Sequence, residues 1–176
     1  WQWYGPFNKP DSNITTVNPA VDMDEVRRFA KEKGIRLWLW LYWTDADRND
    51  AYQKAFPLYA TWGLAGVKID FMARDDQEMV AWYHKIVKKA AEHHLMVDFH
   101  GAYKPTGWRR TYPNLMTREG VLGNEWNGWS QKVTPEHKCT IAFTRNLLGE
   151  VDYTPGGFLN RTRETFRPER PTQTQG

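Results

Sequence analysis

The carboxylates Asp45, Asp70, Asp98, Glu119, Glu125 and Asp152 each stand at the end of an apolar run or in the loop that follows one. Pairs of such groups can hydrolyse a glycosidic bond: one protonates the leaving oxygen, and the other attacks the anomeric carbon or activates water. Asp70 is the strongest candidate, because it follows the apolar run that starts at Gly66. A carboxylate where a strand leaves a core is costly unless it is paired or functional. Lys68 shares its side of the strand, which suits either a structural ion pair or a substrate-binding cation. A capping or salt-bridged role for Asp70 stays open on position alone.

Glu119 and Glu125 share a glycine-punctuated loop with no Lys beside them. They read either as surface glutamates or as catalysts and hard-oxygen ligands of the kind Ca²⁺ takes. Asp98 and His100 also share one side of a strand. His100 there is either a satisfied hydrogen-bonder or a contact for a sugar hydroxyl. Ser130 and Cys139 have no recognisable base partner, which argues against serine- or cysteine-type hydrolysis.

These residues need elements to hold them. Trp1–Tyr4 reads as a strand end, followed by a polar, turn-rich loop from Gly5 to Asn13. Asp22 and Glu25 form a capping-box pattern for a helix over Met23–Lys33, with Val26, Phe29 and Ala30 as its apolar stripe. Ile35–Tyr42 reads as a strand buried on both faces. A helix over Asp47–Trp62, kinked at Pro57, comes next. The strand Gly66–Phe71, a helix over Asp75–His94 and the strand Leu95–His100 follow. In that helix Met79, Trp82, Tyr83, Ile86, Val87 and Ala90 keep a 3.6-residue period. Beyond His100 the expectations are a loop, a short strand at Leu115–Thr117, the loop Arg118–Ser130, a helix over Pro135–Leu148 and a strand at Val151–Thr154.

This alternation predicts an α/β fold with parallel strands and right-handed crossovers. No Gly-rich phosphate fingerprint follows any strand, which weakens an open doubly wound sheet. Polar groups gathered after strand ends favour the rim of a (β/α)₈ TIM barrel. Six strands at most are legible, so the barrel is expected to be incomplete. Residues 1–160 are read as the partial barrel, and 161–176 as a polar loop or tail running on into its missing part.

Composition narrows the function classes. The chain is 40% hydrophobic and 26% charged, as a globular domain is. No apolar run approaches a membrane span, so no membrane partner is expected. The net charge is +3, and the basic residues form no aromatic-interleaved track, so no nucleic acid is expected either. Ten Trp, eight Tyr and eight Phe raise the case for a sugar-binding surface, although core packing accounts for most large aromatics. The single Cys139 excludes an internal disulfide and a cysteine-based zinc cluster.

The stretches Trp1–Gly5, Gly66–Met72, Asp98–Ala102 running into Lys104–Gly107, Arg110–Asn114, Met116–Gly120, Phe143–Arg145 and Asp152–Gly156, in that order, resemble glycoside hydrolase family 97. The resemblance implies a catalytic barrel between flanking N- and C-terminal β-domains, Ca²⁺ at the active site and exo-action on α-linked sugars. It also implies periplasmic or secreted bacterial enzymes. Retaining members carry an aspartate nucleophile at a strand end, and Asp70 matches it. Inverting members use glutamates on other strands, where this chain holds Thr44 and Gly101. The resemblance makes Glu125 the general acid/base, with a possible contact to the metal. Glu119 becomes a Ca²⁺ ligand, and Lys68 and His100 become substrate-binding residues. A retaining α-galactosidase acting on α-galactosides or related oligosaccharides is the first expectation. An α-glucosidase and a non-catalytic carbohydrate-binding fragment are the alternatives.

Overall fold

The computed structural model describes residues 2–175; Trp1, expected to open the first strand, and Gly176 lie outside the described residues. The chain divides into two compact units, residues 1–102 with 108–116, and residues 103–107 with 117–176.

In the first unit, β1 (Trp3–Tyr4) pairs antiparallel with β2 (Asn13–Val17). The sequence reading ended its loop at Asn13 and assigned no strand after it. The β-branched residues Ile14, Thr15, Thr16 and Val17 favour extended backbone, and Ile14 is buried. The hydroxyl of buried Tyr59 donates to the Ile14 carbonyl at 2.6 Å and ties the ribbon down. Helix α1 (Met23–Glu32) begins as expected, with the Asp22 carboxylate accepting from the Glu25 N–H at 2.9 Å. Its buried face differs from expectation: Met23 and Ala30 are buried, whereas Val26 and Phe29 are exposed. The row 23, 27, 30 turns inward instead. Arg27 donates to the Trp62 carbonyl at 3.0 Å and lies over the Trp62 ring.

Strand β3 (Trp38–Tyr42) is shorter than the Ile35–Tyr42 run, and it is not buried on both faces. Leu39 and Leu41 are buried, while Trp38, Trp40 and Tyr42 on the other side are only part-buried. The expected helix over Asp47–Trp62 is two helices, α2 (Trp43–Asp47) and α3 (Tyr52–Thr61), joined by a 3₁₀ turn at Arg48–Asp50. Asn49 and Asp50 both have φ of 52°, and this left-handed pair breaks the helix. Pro57 lies inside α3.

Strand β4 (Gly66–Asp70), helix α4 (Gln77–Glu92), strand β5 (Met96–Phe99) and strand β6 (Leu115–Arg118) follow. The sheet order is β3-β4-β5-β6, with β3, β4 and β5 parallel. All six apolar positions expected on α4 are buried. Tyr83 of α4 meets Phe99 of β5 edge-on at 4.6 Å. The rows Leu39–Val67–Val97 and Leu41–Ile69–Phe99 therefore form the apolar face of the sheet.

In the second unit, helix α5 (Pro135–Phe143) starts at a Thr134 cap with Pro135 at its first position. It ends earlier than expected. Thr144 leaves helical geometry at φ −127° and ψ −80°, and a 3₁₀ turn at Arg145–Leu148 follows. The expected strand Val151–Thr154 is a single parallel bridge, Arg118 to Val151. In the segment read as a polar tail, β7 (Leu159–Arg161) pairs parallel with β8 (Gln173–Gln175).

Candidate active site

The face of the sheet opposite the apolar rows carries the polar groups. Register places Trp40, Lys68 and Asp98 in one row and Tyr42 with Asp70 in the next; His100 directly follows β5, two residues past Asp98. A period of two and parallel pairing thus bring Lys68 and Asp70 of β4 and Asp98 of β5, with His100 just beyond it, to one side of two neighbouring strands.

Asp70 is the last residue of β4 and is buried. Its Oδ2 accepts the indole N–H of Trp40 at 2.9 Å, and its Oδ1 accepts the Phe71 N–H at 2.5 Å. Burial pushes the Asp70 carboxyl above the usual range. The Trp40 bond, the His100 charge, the Phe71 N–H and the Lys68 charge each pull the other way. The site thus desolvates the carboxylate, while the donors Trp40 and Phe71 and the nearby Lys68 favour its ionised form.

The backbone beyond Asp70 is strained. Phe71 has φ of 66° and Ala73 φ of 47°, values that side-chain-bearing residues seldom adopt. The Ala73 N–H donates to the Gly101 carbonyl at 2.7 Å, which locks this turn. Gly101 itself has φ of 58°. A Cβ there would stand 2.8 Å from the Phe71 nitrogen and 3.0 Å from Asp70 Oδ1. No side chain fits at residue 101 without moving the Asp70 turn.

Lys68 Nζ lies 3.9 Å from Asp98 Oδ2, so Asp98 acts as an ion-pair partner on this face. Asp45 is buried for a structural reason, accepting the Asn8 N–H at 2.9 Å and pairing with Arg48 at 3.2 Å. Thr44 is also structural, donating to Asn8 Oδ1 at 2.9 Å. Beside Asp70 the rings of Phe7, Tyr42 and Phe71 form a stack, with spacings of 5.8 Å and 5.2 Å to Tyr42. Phe7 and Phe71 are half-exposed. Flat aromatic faces of this kind match the apolar faces of pyranose rings.

In the second unit, Glu119 is buried and follows β6 directly. Glu125 lies in a 3₁₀ turn, Asn124–Gly128. One carboxylate oxygen of each lies within 4.8 Å of the other's. Two carboxylate oxygens at this spacing are hard donors of the kind that would suit Ca²⁺. Gly120 lets the loop close, since a Cβ there would stand 2.4 Å from the Lys104 Cα. Asp152 donates its N–H to the Arg118 carbonyl at 3.4 Å.

The sequence reading singled out Asp70, Lys68, His100, Glu119 and Glu125 but not Trp40 or Arg145. Trp40 carried a signal, since it occupies the same side of its strand as Tyr42. Arg145 carried a weaker one, a lone Arg after the apolar run at 141–143.

The model of the family described as Glycoside hydrolase 97 matches residues 1–121. The chain belongs to glycoside hydrolase family 97. The matched region includes Asp70, His100 and Glu119, and Glu125 lies four residues past its end. The chain is 40% identical over 171 residues to a probable retaining α-galactosidase of Streptomyces bingchenggensis, covering 96% of this chain and 25% of that protein. It is 34% identical over 159 residues to a retaining α-galactosidase of Bacteroides thetaiotaomicron, covering 89% and 24%. A family 97 enzyme from Pseudoalteromonas sp. strain K8, solved in complex with panose, superposes with a TM-score of 0.75 at 32% identity, covering 89% and 27%. The chain thus spans about a quarter of the length of the relatives it matches.

Proposed function

We propose that this chain carries the catalytic residues of a retaining, exo-acting α-galactosidase. The observation that carries this reading is the environment of Asp70. It is a buried carboxylate at the end of a parallel strand, held by Trp40 and the Phe71 N–H, beside a position 101 that admits no side chain. A glutamate base on the neighbouring strand, as inverting members use, has no room at Gly101. The two α-galactosidase relatives support the same reading.

In the proposed reaction Asp70 attacks the anomeric carbon as the bond to the leaving oxygen breaks, and Glu125 donates its proton to that oxygen. Glu125 then takes a proton from water, whose oxygen attacks the same carbon and releases Asp70. Two inversions give net retention. Lys68 and His100 bind sugar hydroxyls, and the exposed rings of Phe7 and Phe71 face the apolar side of the substrate. Glu119, with Glu125, would hold Ca²⁺. When bound, the ion would supply Lewis-acid polarisation of a substrate oxygen.

The proposal extends to the surroundings. The sheet β3-β4-β5-β6 is read as an arc of a (β/α)₈ barrel, flanked by N- and C-terminal β-domains in an exported protein. A second reading, α-glucosidase, is favoured by the relative bound to panose, a glucose oligosaccharide. The full-length protein with Ca²⁺ decides between them through kcat/KM on p-nitrophenyl α-galactoside and α-glucoside. Preference for the galactoside is expected. Preference for the glucoside moves the specificity to the second reading, and hydrolysis of neither overturns the enzymatic one.

A further inference from the structure

Arg145 is a buried cation that donates to four main-chain carbonyls. Its Nε donates to the Glu119 carbonyl at 3.0 Å, and one Nη donates to the carbonyls of Arg118 at 2.7 Å and Glu150 at 3.3 Å. Its other Nη donates to the Gly149 carbonyl at 3.3 Å. The acceptors belong to two segments, the end of β6 and the stretch entering Val151. Among the described residues, the backbone joins these segments by one isolated parallel bridge, Arg118 to Val151. The Thr117 hydroxyl adds a single side-chain bond to the Glu150 carbonyl at 2.7 Å.

A parallel ladder would hold the two segments together through regular backbone bonds. Here the guanidinium takes its place, because the Glu150 and Gly149 carbonyls point at Arg145. The planar fork of five N–H donors is the side chain able to bind four carbonyls at once, and a Lys ammonium is not. A charge buried at 6% exposure is expensive unless it is so satisfied. One of its acceptors is the main chain of Glu119 itself, and the rigid turn at Gly120 follows immediately.

We propose that Arg145 is a positioning residue for the acidic loop. By fixing the main chain at Arg118 and Glu119, it sets the Glu119 carboxylate where it shares a cation with Glu125. This inference rests on the reading of Glu119 and Glu125 as a Ca²⁺ site. Its effect passes through the Glu119 main chain.

The test is Ca²⁺ titration by calorimetry on the full-length protein and its variants Arg145→Lys and Glu119→Gln, with far-UV circular dichroism to confirm folding. Residues that orient metal ligands typically contribute about 10–100-fold in affinity. Arg145→Lys is expected to lower Ca²⁺ affinity by about tenfold or more in a folded protein. At saturating Ca²⁺ it is expected to lower kcat while leaving KM nearly unchanged. Loss of affinity in Glu119→Gln with wild-type affinity in Arg145→Lys overturns the inference and leaves the metal reading standing. Wild-type affinity in both overturns the two together. If Arg145→Lys does not fold, Thr117→Val, which loosens the same seam, takes its place: weakened Ca²⁺ binding supports the inference, and wild-type binding overturns it.

Discussion

Trp40 donates its indole N–H across the sheet to Oδ2 of Asp70 at 2.9 Å, from a strand position two residues before the one level with Asp70. This bond favours the ionised carboxylate against the burial that disfavours it. A hydrogen bond to a charged group contributes about 1.5–3 kcal/mol. Trp40→Phe is therefore expected to cut kcat/KM by about 10–100-fold at neutral pH. As the proposed nucleophile Asp70 would act ionised, so the acidic limb of the pH profile is expected to move to higher pH. An unshifted limb contradicts this role for Trp40.

The raised Asp70 carboxyl also links stability to pH. The folded protein binds this proton more tightly than the unfolded chain does. The contribution of Asp70 to stability is then fully present below its unfolded pKa, about 3.9, and is lost as pH rises through the higher folded value. Urea unfolding of wild type and Asp70→Asn measures this directly. As pH is lowered through that window, wild type is expected to gain stability relative to the variant. A constant difference across the window contradicts the assignment.

Gly101 is held at φ of 58° against the Asp70–Phe71 turn. Gly101→Ala places a Cβ 2.8 Å from the Phe71 nitrogen, so the turn must shift. A destabilisation of about 1–3 kcal/mol is expected, together with lower kcat, because the Phe71 N–H moves away from Asp70. Thermal unfolding and kinetics check both. Wild-type stability with wild-type kcat shows that the turn tolerates the methyl group.

Much of the first unit was legible because its signals are local and redundant. The period of α4 predicted all six of its buried residues, and the run into Asp70 marked a strand end without any partner strand being known. The misread parts depended on partners. Val26 and Phe29 look like a core stripe until Arg27 takes the inward position over Trp62. The strand expected at Val151–Thr154 gives way where side chains take the place of a ladder: Arg145 holds the Gly149 and Glu150 carbonyls. Periodicity cannot encode a side chain that reaches back to distant main-chain oxygens. The same limit hid Trp40, whose importance follows from a register set between strands.

The most direct test of Asp70 as the nucleophile is the first product anomer. The full-length protein with Ca²⁺ and p-nitrophenyl α-galactoside is followed by NMR, with Asp70→Ala studied in the presence and absence of azide. Retention through Asp70 predicts α-galactose as the first product and a loss of about 10³-fold or more in kcat for the variant. It also predicts that azide restores turnover and yields a β-galactosyl azide. Release of β-galactose first, or full activity in Asp70→Ala, contradicts the assignment and sends the search for the catalytic base to another strand.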